Sequence, residues 1–128
     1  MALFAFTEED IARDKLVAPG WYVVQCMKVE DKAAKTDGSN NTWITWKGVS
    51  GDANMVEVAE CLNEKFAPNA KKLIAALTGA KVEAGVQYKL DAGLVEKQLE
   101  AFIAPGDVNG TIRNTIKDYR PVTQQATS

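Results

Sequence analysis

The chain has 128 residues, of which 46% are hydrophobic and 25% charged, a composition typical of one globular domain. Its net charge of -2 argues against a protein that holds nucleic acid by charge alone, because such proteins are usually basic. Histidine is absent and there are two cysteines, which excludes a Ser-His-Asp triad, a Cys-His pair, a His-based zinc site and a disulfide scaffold.

The apolar runs are all short. None approaches the ~20 residues that a membrane-spanning helix needs, so we expect no membrane segment. Acidic residues at positions 8–10 follow Met1 closely without a basic region, which predicts no secretory signal. We therefore expect a cytoplasmic protein.

The first half of the chain predicts a short helix and three antiparallel strands. Thr7 is suited to cap a helix over 7–14, whose acidic side chains favour the first turn. Strict alternation in the first strand predicts that Cys26 and Lys28 share one face. Short turns between the strands indicate a meander. We expect the strands at 21–31, 42–49 and 54–62, with a mobile hairpin loop at 32–41.

The second half predicts one helix and two or three strands. Pro68 begins a helix to about Thr78, where an apolar stripe at helical spacing ends at Gly79. Asn109-Gly110 is a strong hairpin signal within a loop over 105–110. We expect strands at 86–90, 98–103 and 111–119, and a disordered polar tail at 123–128.

This order of elements predicts a mainly β fold. A helix between the third and fourth of five strands is the layout of an OB-like five-stranded Greek-key barrel. The alternative is an α+β antiparallel sheet. We expect one such domain over residues 1–122, opened by the short helix.

Little in the sequence indicates catalysis. Glu57 and Glu60 fall on opposite faces of a strand, so we interpret them as solvated charges. The glycines open no helix and form no phosphate-binding fingerprint. We expect no enzyme, no cofactor and no metal. Both Cys26 and Cys61 lie in apolar runs and are expected to be buried, unreactive thiols.

Aromatic and basic residues instead indicate a binding surface. Single-stranded nucleic acid is held by aromatic rings that stack on bases and by cations that contact phosphates. Alternation places Trp46 in the core and Trp43 on the opposite face of its strand, because burying Lys47 instead would be costly. The candidate nucleic-acid site comprises Trp43, Lys47, Lys28, Lys32, Lys35, Tyr22 and Arg113.

Several short segments resemble a known family. They are Pro19-Gly20-Trp21-Tyr22, a Trp-rich second strand, Leu62-Asn63-Glu64-Lys65 before a helix, and a closing run with Asn114, Ile116, Tyr119, Arg120 and Pro121. Over residues 19–122 the chain resembles small phage-encoded proteins found in replication or recombination gene neighbourhoods. The resemblance implies an OB-like fold and single-stranded DNA binding in a bacterial host cell.

The resemblance also implies partners among phage or host replication and recombination proteins, and it leaves the oligomeric state open, a homo-oligomer included. Many single-stranded DNA-binding proteins recruit partners through an acidic tail, whereas residues 124–128 contain no acid. Recruitment would then use another surface, such as the acidic stretch 52–64, or be absent. The alternative function is a phage structural or assembly protein, or an adaptor that binds protein through an exposed sheet edge.

Overall fold

The computed structural model describes residues 2–33, 38–65, 68–86 and 88–122. Within these ranges the protein is mainly β, with five antiparallel strands in one open sheet and two α-helices. The strands are β1 (Gly20–Ala33), β2 (Asn40–Gly48), β3 (Glu57–Asn63), β4 (Gln98–Val108) and β5 (Thr111–Arg120), and the helices are α1 (Glu8–Ala12) and α2 (Pro68–Thr78).

The long first strand joins the two halves of the sheet. The strand order is β3-β2-β1-β4-β5, with the N-terminal half of β1 on β4 and most of its length on β2. The helix α2 lies between β3 and β4 in the chain. This order fits both a partly open OB-like barrel and an α+β sheet, because no ladder joins β3 to β5 among the described residues. The prediction of a mainly β fold is confirmed.

The core lies on the inner face of the sheet and is covered by α2. Trp46, Ile44 and Val24 are fully buried, and Leu73 of α2 inserts among them. Leu73 and Ala76 are the buried residues of α2, which confirms the amphipathic helix predicted from Pro68 to Thr78. The short α1 has no buried residue, and Thr7 caps it through a capping box with Asp10.

A β-bulge in β1 changes which side chains face outward. Cys26 pairs with Trp46 and Lys28 with Thr45, so Met27 is an extra residue between the two pairs. The expectation that Cys26 and Lys28 share a face is therefore wrong. The bulge reverses the alternation, and it turns Lys28 away from the core.

The remaining differences from the predicted strands concern their ends and one strand that does not form. The third strand begins at Glu57 because residues 51–53 form a 3-10 turn, and residues 86 and 88–90 form no strand. Strand β4 continues through Pro105 to Val108, where it pairs with β5 alone, an edge position that tolerates proline. The predicted loop shortens to Asn109-Gly110, both with positive φ, as a two-residue hairpin requires. Residues 34–37 and 123–128 lie outside the described residues.

Candidate nucleic-acid interface

The two tryptophans of β2 occupy opposite faces of the sheet. Trp46 is 0% exposed in the core, and Trp43 is 38% exposed on the outer face. This separation follows from the alternation of side chains along the strand and confirms the predicted register. A free aromatic ring therefore lies on the middle strand of the β1–β2–β3 half of the sheet.

Two lysines flank Trp43 on the same outer face. Antiparallel partners share a face, and Lys28 lies opposite Thr45 while Lys32 lies opposite Asn41. These positions bracket Trp43 along the neighbouring strand. We call Lys28, Lys32 and Trp43 the aromatic–lysine face.

One of the two lysines of this face is already ion-paired. Lys28 forms an exposed ion pair with Glu30 at 3.3 Å, the type of pair that contributes about 0–1 kcal/mol. Glu30 is also the β1 partner of Trp43. Lys32 forms no ion pair with any other described residue. A phosphate can therefore reach Lys32 directly and can compete with Glu30 for Lys28.

An open groove runs beside this face, between β3 and the first half of β5. It encloses about 930 Å³, and its lining includes Trp43 and Arg113. Arg113 is exposed and forms no ion pair within the described part of the chain. We call this space the β3–β5 groove; its apolar lining includes Ala59, Cys61, Val108 and Ile112.

Lys47 shares the outer face but is already paired. Its Nζ lies 2.8 Å from a carboxylate oxygen of Glu9 in α1, and its side chain is 23% exposed. The hydrogen bond and charge of Lys47 lower the pKa of the Glu9 carboxyl. Sequence reasoning did not foresee this pair, because nothing in the spacing indicates that α1 lies against β2. Among the described cations of the predicted site, Lys47 is the least available.

The structure separates Tyr22 from the other predicted site residues. Tyr22 pairs with the buried Ala101, packs against the core, and donates its hydroxyl hydrogen to the Ala18 carbonyl at 2.6 Å. The structure therefore places Lys28 and Lys32 on the face of Trp43 and Arg113 in the lining of the groove, and it leaves Tyr22 on the inner face. Lys35 lies outside the described residues.

A second aromatic–cation cluster occurs on the outer face of β1 and β4, which the predicted site did not include. Trp21 meets Phe102 edge to face at 5.5 Å, and the Arg120 guanidinium lies 4.1 Å from the Trp21 ring centre. Arg120 is also ion-paired with Glu100. Their pairing across strands has no local sequence signal. Because Arg120 already covers this ring, the cluster is less suited to stack on a base.

A hydrogen-bonded seam connects β3 to β5 beneath the groove. Glu60 accepts hydrogen bonds from the Tyr119 hydroxyl and from Asn69 Nδ2, and Asn69 also donates to the Ile116 carbonyl. Burial raises the pKa of Glu60, and burial together with the Glu60 charge raises the pKa of Tyr119. The two glutamates of β3 do face opposite ways. The expectation that Glu60 is solvated is wrong, because it holds the open edges of the sheet together.

The two cysteines differ in exposure. Cys26 is buried on the inner face, as expected, and burial raises the pKa of its thiol. Cys61 is exposed opposite Trp43 on the outer face, so the prediction that it is buried is wrong. The cause is the register of β3, which turns Val58 and Leu62 inward and Cys61 outward.

Within the described ranges, no cluster of three or more His, Cys, Asp or Glu side chains could hold a metal ion. No helix found there is long and apolar enough to cross a membrane. No protein-family model matches the chain, and none of the curated proteins is significantly similar to it.

Proposed function

We propose that this protein binds single-stranded DNA along the aromatic–lysine face and the adjoining β3–β5 groove. The observation that carries the proposal is the exposed Trp43, which lies between Lys28 and Lys32 and lines the same groove as Arg113. The surface of strands 2 and 3 is the one that OB-fold proteins use for oligonucleotides. The proposed activity is binding without catalysis.

The physical basis is stacking combined with a few phosphate contacts. One base stacked on an aromatic ring contributes about 1–3 kcal/mol and tolerates any sequence. Lys28, Lys32 and Arg113 supply the positive charge, although the net charge of -2 gives no general attraction for DNA. Binding should therefore depend on stacking more than on charge.

The resemblance to phage-encoded proteins supports a biological setting. We place the protein in bacteriophage DNA replication or recombination, in the cytoplasm of a bacterial host. Its further partners would be phage or host replication and recombination proteins.

Salt dependence of oligo(dT) binding tests this proposal. Three phosphate contacts predict a log–log slope of roughly -2, because each contact on a single strand contributes about -0.7. Quenching of tryptophan fluorescence during titration gives Kd at several salt concentrations. No detectable binding at low salt would refute the proposal.

An adaptor or assembly protein is the second candidate function. It is favoured by the large apolar side chains exposed before α1, among them Leu3, Phe4 and Phe6. Exposed apolar clusters of this kind mark protein–protein contacts. The two functions differ in what the β3–β5 groove binds, so the titration with oligo(dT) distinguishes them.

A further inference from the structure

The residues before and within α1 expose an unusual amount of apolar surface. Leu3 is 87% exposed, Phe4 80%, Phe6 70% and Ile11 71%. These are the most exposed large hydrophobic residues in the described part of the chain, and α1 buries none of its residues. We call residues 2–6 the apolar segment. Large exposed apolar patches mark interaction sites.

The apolar segment projects from a fixed attachment point. Glu9 is bound to Lys47, and the Glu57 amide donates to the Arg13 carbonyl at 2.7 Å, so α1 is held against β2 and β3. Residues 2–6 can extend about 17 Å from that point. Their exposure shows that they do not cover their own domain.

The β3–β5 groove has the size and chemistry to receive such a segment. Its volume of about 930 Å³ falls within the ~300–1,000 Å³ of protein ligand sites. Ile112, which lines it, is itself 55% exposed. The groove also runs along β3, an edge strand of the sheet, where an extended chain can add backbone hydrogen bonds.

We propose that the apolar segment of one copy docks in the β3–β5 groove of a second copy, which forms a closed dimer. Arg13 and Asp14, which follow α1, line the groove of their own chain, so the donor and acceptor surfaces adjoin. A two-fold axis near this point lets both copies exchange segments at once. Glu8, next to the apolar segment, and Arg113, in the groove lining, have opposite charges, and neither forms an ion pair with described residues of its own chain.

Disulfide trapping between two different chains tests the docking in trans. One chain carries Phe4→Cys and the other carries Ile112→Cys plus a mass tag, both with Cys61→Ser so that buried Cys26 is the remaining native thiol. After mixing and mild oxidation, we expect a tagged–untagged dimer on a non-reducing gel. The matched control replaces Ile112→Cys by Val86→Cys, a comparably exposed position at 48%.

The expected result is at least a tenfold higher yield of the mixed dimer for the Ile112→Cys chain than for the Val86→Cys chain. Equal yields would overturn the proposal. So would a chain carrying Phe4→Cys and Ile112→Cys together that forms exclusively an intramolecular bond when diluted into unsubstituted copies.

Labelling of native Cys61 gives a second test without a new cysteine. Cys61 lines the groove, so a docked segment should slow its reaction with a thiol reagent as protein concentration rises. A variant with Leu3, Phe4 and Phe6 all changed to Ser should react at one rate at every concentration and elute as a monomer. A rate for the unsubstituted protein that does not change with concentration would contradict the docking. A docked segment and a DNA strand would compete for the β3–β5 groove, but neither test contains DNA, so the docking can fail without the failure of the proposed function, and the reverse.

Discussion

Two tryptophans on the outer face of the sheet differ in how much of the ring is free. Trp21 is half-buried, contacts Phe102 and is covered by the Arg120 guanidinium at 4.1 Å. Trp43 is exposed, and its cross-strand partners, Glu30 and Cys61, leave its ring open. Both rings have cations nearby. An aromatic residue beside a cation is therefore a candidate site only where the cation does not cover the ring.

The difference in ring exposure also reflects how the strands around each tryptophan are paired. Around Trp21, β4 pairs with β1 on one side and with β5 on the other, and the ion pair of Arg120 with Glu100 fixes the covering cation. Around Trp43, the sheet ends at β3, and the β3–β5 groove opens beside it. The first region stabilises the fold, whereas the second keeps accessible surface.

The largest expected effect concerns the inner face, on which the position of Trp43 depends. Trp46→Ala should lower the free energy of unfolding by about 3–5 kcal/mol, because it empties a fully buried aromatic site. Trp43→Ala should lower it by far less. Urea denaturation of both variants measures the difference. Equal losses would mean that the two tryptophans are not on opposite faces of the sheet.

A smaller effect on stability is expected at Glu60, in the hydrogen-bonded seam that borders the groove. The folded protein raises the pKa of Glu60, so the folded state binds its proton more tightly than the unfolded state does. Stability contributed by protonated Glu60 is present below the ordinary Glu pKa of about 4.3 and is lost as pH rises through the raised value. Glu60→Gln removes this dependence and still accepts a hydrogen bond from Tyr119.

The melting temperature of Glu60→Gln relative to the unsubstituted protein should therefore rise with pH across this window. Thermal melts at a series of pH values measure it, and Glu57→Gln, on the opposite face of the same strand, is the matched control. A relative melting temperature that is constant with pH, or that falls, would show that burial does not dominate the environment of Glu60.

Local sequence signals predicted much of the fold. Alternation separated Trp43 from Trp46, proline and glycine marked both ends of α2, and Asn109-Gly110 marked the hairpin. These features depend on neighbours within a few residues, which is why the sequence reveals them.

The rest depends on contacts between distant segments. The bulge at Met27 changes the face on which Lys28 lies, and no neighbouring glycine or proline indicates it. The pairing of Lys47 with Glu9 joins residues 38 positions apart. The cover of Trp21 by Arg120 likewise requires the β1–β4–β5 register. Alternation was enough to predict the face on which Trp43 lies. It could not show which cations of the predicted site are ion-paired.

Oligo(dT) titration of two variants tests whether the exposed ring of Trp43 binds a base. Trp43→Ala should lose about 1–3 kcal/mol of affinity, a roughly five- to 140-fold rise in Kd. Trp21→Ala, the same change at the covered ring, should leave Kd unchanged while lowering the melting temperature. Binding is followed by anisotropy of a labelled oligonucleotide, since both changes remove a tryptophan. An unchanged Kd for Trp43→Ala, or an equal loss of affinity in both variants, would show that no base stacks specifically on Trp43.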